Sequence, residues 1–160
     1  MPHIENKKQS LAEIFSQRTG RLISSEKILI GSVISKIELF LVHYRDIIAK
    51  EEIKAIHIEY EYTDGIAEYP TMMSSTIDID ELDGLIKSLE HIWDKVISTH
   101  PRNYTEVLFT SRSGIKLGCV YRSDWYFYMK VSESDDRSIV SMRIDCLYTL
   151  LELLTKAQEM

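Results

Sequence analysis

No stretch of this 160-residue chain has the length of a membrane helix: the longest unbroken apolar run, Trp125 to Met129, is five residues, against roughly 18 needed to span a bilayer. Lys7 and Lys8 are not followed by an apolar segment, so neither a secretory signal nor a membrane partner is expected, and the expected location is the cytoplasm. Two cysteines are too few for a disulfide framework. Cys119 alternates with Leu117 and Tyr121 on one face of an extended segment, and both Cys119 and Cys146 are read as reduced thiols. The six glycines form no Gly-x-Ser-x-Gly elbow, phosphate-cradling loop or dinucleotide fingerprint. His43, His57, His91 and His100 lack zinc spacing. The expectation is therefore a chain that is not an enzyme and has no cofactor and no metal.

What is present is an ordinary globular composition, 44% apolar and 28% charged. This length fits one domain over 1–160, with 1–24 as a short N-terminal helical extension. The strongest pattern is an echo. Ile79, Asp80, Leu82, Leu85, Ile86 and Leu89 recur 65 positions later as Ile144, Asp145, Leu147, Leu150, Leu151 and Leu154. In each copy an alternating run ends at an aspartate, read as the N-cap of an amphipathic helix, which gives an internal strand-to-helix repeat by duplication or by convergence.

Ser10 and Glu13 have capping-box spacing before a short helix with Leu11, Ile14 and Phe15 on one side and Gly20 past its end. From Ser25 to Lys50 the pattern fits both a helical stripe and, over Lys36 to Leu41, an alternation. The spacing of Ser35 and Glu38 favours a helix from Ser35 to Lys50. Strands are expected at Lys54–Tyr62, Met72–Ile79, Tyr104–Ser111, Ile115–Arg122, Trp125–Val131 and Ser138–Ile144, the last four as a meander. The fold class is α+β, an antiparallel sheet of about six strands with helices on one face.

Charge is unevenly distributed along the chain. Residues 1–50 carry eight basic and five acidic side chains, whereas residues 51–96 carry three basic and twelve acidic, within a total of −6. Such segregation suits electrostatic recognition. The closing helix, Cys146–Gln158, carries Tyr148 and Leu153 outside its core stripe. These features predict a non-enzymatic protein-interaction domain of inhibitor, immunity-factor, adaptor or chaperone type. Its partner would have a basic surface, and its contacts would be Glu59, Glu61, Asp64, Glu68, Tyr148 and Leu153. Surplus apolar surface on the last helix also suits a two-fold homodimer.

Two other constellations point to different chemistry. Asp78, Asp80, Glu81 and Asp83 superficially suggest a calcium loop but lack its spacing, so helix capping by Asp80 is the reading. Residues 102–130 mix Arg102, Arg112, Lys116, Arg122 and Lys130 with seven aromatic rings, the composition of a single-stranded nucleic-acid platform. The net negative charge and the burial of half those rings weigh against it.

Overall fold

A computed structural model describes residues 8–66 and 69–160. Ser10 caps the first helix, α1 (Leu11–Ser16), by accepting the Glu13 amide at 3.0 Å. The face that docks is Ala12 and Phe15. Leu11 and Ile14, expected beside Phe15, are exposed.

Four strands follow: β1 (Ile23–Ile34), β2 (Ile37–Asp46), β3 (Glu51–Tyr62) and β4 (Thr71–Asp78). They form an antiparallel meander in that order. The helix expected over Ser35–Lys50 is thus a strand preceded by a two-residue hairpin turn. Ser35 sits in that turn, so its spacing to Glu38 marks a hairpin and not a helix start. In β2 the residues Ile37, Leu39 and Leu41 enter the main core. On its other face Val42 is buried with Ala55 beneath Ala12 of α1.

The chain then enters α2 (Ile79–His91), which widens into a π-turn over Ile92–Val96, where the Ile97 amide bonds the Ile92 carbonyl at 3.1 Å. A second antiparallel meander comprises β5 (Thr105–Thr110), β6 (Lys116–Arg122), β7 (Asp124–Lys130) and β8 (Ile139–Arg143). It leads into α3 (Asp145–Gln158). The fold is α+β with two four-stranded sheets. The expected single sheet of about six strands is corrected on two counts: β1 and β2 add two strands, and the strands divide between two sheets. Hairpin pairing joins only neighbours in sequence, and α2 lies between β4 and β5.

Four strands and then a helix occur twice in succession. The apolar helix residues of the sequence echo do the same work in both halves, but the expected Asp145 cap is corrected: Ile144 stands at the N-cap position of α3 with no side-chain cap bond, and Asp145 is the first residue of the helix, 3.6 Å from Arg143. Leu82, Leu85, Ile86 and Leu89 of α2, and Leu147, Leu150, Leu151 and Leu154 of α3, are buried in one apolar cluster that also takes residues from both sheets. The two helices pack against each other, and α3 also lies on β1, where Leu153 covers Gly31. Among the described residues no helix is long and apolar enough to cross a membrane.

Candidate functional site

Each sheet turns one face to the shared core, and the outward faces are where recognition can occur. On the first sheet the register places Leu29, Phe40, His57 and Thr76 in one outward row and Ser32, Glu38, Glu59 and Ser74 in the next. Glu61 stands opposite Met72 beyond them. Helix α1 covers the other end of this face, over Val42, Ala55, Tyr44 and Ile53, so the rows with Glu38, Glu59 and Glu61 form its open half. Glu38 and Glu59 are directly opposite in the ladder, an arrangement that costs stability when both are charged. Glu59 is met by Lys27, and His57 Nε2 lies 3.4 Å from it. Glu38 and Glu61 make no ion pair among the described residues. Burial holds the His57 imidazole below its ordinary pKa, the nearby Glu59 opposing this, so the ring in this row favours its neutral form. Its Nδ1 lies 3.2 Å from the Thr76 hydroxyl.

The contacts expected from the sequence therefore separate. Glu59 and Glu61 share the open face. Asp64 lies in the turn after β3, accepting the Ile66 amide at 3.1 Å, and Glu68 lies outside the described residues. Tyr148 is 44% exposed, with its ring centroid 5.1 Å from that of Trp93. Leu153 is half-buried against Gly31. Reading the sequence missed Glu38, Phe40 and Leu29, whose common face appears only once β1 and β2 are strands.

Pairing also redistributes charge. The basic first segment lies beside the acidic second one: Arg18 meets Glu51 at 2.8 Å, Arg45 meets Glu52 at 3.5 Å, and Lys27 reaches Glu59. His43 and His57 do not converge. The register sets His43 opposite Lys54 and His57 opposite Phe40, on opposite faces of the sheet. His43 Nε2 instead lies 3.0 Å from Glu52.

The acidic cluster at the start of α2 is resolved by one arginine. Asp78, and not Asp80, stands at the N-cap position, and its carboxylate makes no side-chain cap bond to its own helix. It accepts the Leu11 and Ala12 amides of α1 at 2.8 and 3.0 Å and Arg112 Nη1 at 2.6 Å. The expected Asp80 cap is corrected: Asp80 pairs with Arg112 at 2.8 Å, and that bond lowers its carboxyl pKa. Glu81 Oε2 accepts the Arg112 amide at 2.9 Å. The three carboxylates could together hold a metal ion, but the guanidinium stands among them as their cation. Arg112 follows β5 in the hairpin to β6, and Ser113 of the same hairpin donates to the Thr76 carbonyl at 2.7 Å. The cluster ties the second meander to the first.

On the second sheet the outward rows are Glu106, Val120, Tyr126 and Arg143; Leu108, Gly118, Tyr128 and Ser141; and Thr110, Lys116, Lys130 and Ile139. Trp125 and Phe127 are buried in the core. Tyr104, Tyr126 and Tyr128 thus remain for the mixed cation and ring surface, with Arg122 5.9 Å from the Tyr104 ring centroid. Acid matches the cations here. Asp124 is opposite Arg122, Asp136 holds Lys130 at 3.1 Å, Asp145 is 3.6 Å from Arg143, and Glu106 shares the face. At the corner of this sheet an open cleft of about 510 Å³ is lined by His100, Tyr121, Trp125, Tyr126 and Arg143 among others.

Neither thiol is prepared for nucleophilic chemistry. Burial pushes the Cys119 thiol up to about 12, and burial followed by the Asp145 charge raises that of Cys146. With disulfide-exchange reagent at pH 8, the native protein is expected to react slowly at half-buried Cys146 and at Cys119 only on unfolding. Fast stoichiometric labelling of both native thiols would contradict these burials. Comparison with protein-family models, with curated proteins and with solved structures finds no match to this chain.

Proposed function

We propose that this chain is a non-enzymatic protein-interaction domain, of inhibitor, immunity-factor, adaptor or chaperone type, that receives a basic partner on the open half of the first sheet's outer face. The observation that carries the reading is the pair Glu38 and Glu59, set directly opposite each other with Glu61 beyond. Among the described residues Glu38, one of the two paired glutamates, has no cation of its own. A fold that holds like charges side by side gives up stability, and a basic side chain docking between them recovers it. Leu29 and Met72, 54% and 57% exposed, flank the carboxylates and supply apolar contact within a charged rim. The last helix offers less for recognition, because Leu153 is occupied by Gly31 and Tyr148 leans on Trp93.

The test is affinity capture from native lysate with three baits: the unchanged chain, Glu38→Lys/Glu61→Lys, and Glu90→Lys/Glu152→Lys. The last makes the same charge change on the exposed sides of α2 and α3. A protein retained by the first and third baits and lost from the second, with retention falling as salt rises, is the expected result. Equal retention by all three, or none by the unchanged chain, overturns the reading.

A further inference from the structure

Strand β1 is an edge of the first sheet, with β2 on one side and, among the described residues, no strand on the other. Two backbone bonds fix which of its groups point outward. The Ile47 amide bonds the Leu22 carbonyl at 3.0 Å, and the Glu61 amide bonds the Lys36 carbonyl at 2.9 Å. Carried through the registers of the two ladders, both place the odd residues of β2 toward β1 and the even residues of β1 toward β2. The amides and carbonyls of Ser25, Lys27 and Leu29 therefore face away from the sheet.

Beyond Leu29 the edge is closed. Ile30 is the extra residue of a bulge, Lys156 of α3 donates to its carbonyl at 3.3 Å, and Leu153 covers Gly31. From Ser25 to Leu29 every residue is exposed, including Ile28 and Leu29. Exposed edges are usually blunted by a lysine projecting from the strand. Here Lys27 is turned onto its own sheet, 4.1 Å from the Phe40 ring centroid and paired with Glu59.

We infer that two copies of this chain associate through antiparallel pairing of their β1 edges about a two-fold axis, joining the first sheets into one of eight strands. Among two-fold registers, one centred on Glu26 opposes two carboxylates, and one centred on Lys27 opposes two ammonium groups. Centring on Ile28 avoids both. Ile28 then faces its counterpart across the axis. Lys27 and Leu29 exchange outward backbone bonds with Leu29 and Lys27 of the second copy. Glu26, which has no ion pair among the described residues, lies opposite Ile30 of that copy, whose carbonyl carries Lys156. The register covers Ile28, leaves Leu29 on the outer face beside Phe40, and sets a free carboxylate beside an ammonium group. An axis normal to the sheet keeps both outer faces on the same side, so the dimer would present two copies of the Glu38, Glu59 and Glu61 surface. The pairing itself does not depend on what that surface binds.

Sedimentation velocity and light scattering on the full chain, up to about 100 μM, test this. The unchanged protein is expected to run at twice the chain mass. Ile28→Lys, which opposes two ammonium groups at the axis, is expected to run as a folded monomer with its circular dichroism unchanged. Glu26→Lys and Lys156→Glu are each expected to weaken association about tenfold, and the double variant to restore it. A monomeric unchanged protein at every concentration overturns the inference. So does dimerisation undiminished by Ile28→Lys, or a double variant no better than either single one. An edge that takes a strand only from a different protein gives the first of these results.

Discussion

Asp78→Ala is expected to destabilise the fold by about 3 kcal/mol, because it removes one carboxylate that takes three hydrogen bonds. Its side chain is 3% exposed, so water cannot replace those bonds without opening the structure. Two of the donors are the first amides of α1, which with six residues is too short to hold itself. The third is Arg112, whose hairpin belongs to the other meander. One residue thus links segments that are 66 and 34 positions away in sequence. For a chain of this length the cost corresponds to a fall of roughly 6–12 °C in Tm. Amide exchange should show where it falls, with protection lost first over residues 11–16. Asp80→Ala is the comparison, because it removes only an exposed partner of the same arginine and should cost much less. Asp78→Ala melting within about 2 °C of the unchanged protein would mean that α1 is held by the burial of Ala12 and Phe15 alone.

The parts of this fold legible in the sequence are those in which one face is wet. β3 alternates cleanly, the second meander is bounded by turn residues, and the leucines of α2 and α3 repeat at the same offset because both helices bury one stripe in the same core. β2 was not legible for a physical reason. Ile37, Leu39 and Leu41 enter the core while Val42 and Tyr44 lie with α1 on the other face, so apolar residues appear on both sides and imitate a helical stripe. The division into two sheets was hidden because local alternation identifies strands and says nothing of which edges meet. Charge misled for a related reason. Segments of opposite sign, well separated along the chain, are laid side by side by strand pairing, and Arg112 enters the acidic stretch from 31 residues beyond Glu81. What survives of the acidic patch is the outward end of β2 and β3. Glu59 and Glu61 can be chosen from sequence, but Glu38 cannot, because its spacing from Ser35 imitates a helix start and its place opposite Glu59 exists only once β2 is a strand.

Gly118→Ala is expected to be strongly damaging. A Cβ at Gly118 would lie 2.0 Å from the Val107 carbonyl oxygen and 2.9 Å from the Leu108 Cα. Both are backbone atoms of the neighbouring strand, in a ladder where Gly118 sits between Leu108 and Tyr128. No rotamer change can make room, so β5 must shift as a unit or the ladder must open. The expected cost is about 3 kcal/mol, the upper end of the range for overpacking. Gly31 provides the contrast. There a Cβ would meet Leu153 Cδ2 at 2.6 Å, the far end of a flexible side chain, and Gly31→Ala is expected to cost about 1 kcal/mol. Gly84 lies exposed inside α2 with nothing within 4 Å. Gly84→Ala should gain about 0.5–1 kcal/mol from the lower backbone entropy of the unfolded chain. Denaturant midpoints should therefore rank Gly84→Ala above the unchanged protein, Gly31→Ala slightly below it, and Gly118→Ala far below. Gly118→Ala unfolding close to Gly31→Ala would show that β5 crosses β6 less closely than 2.0 Å requires.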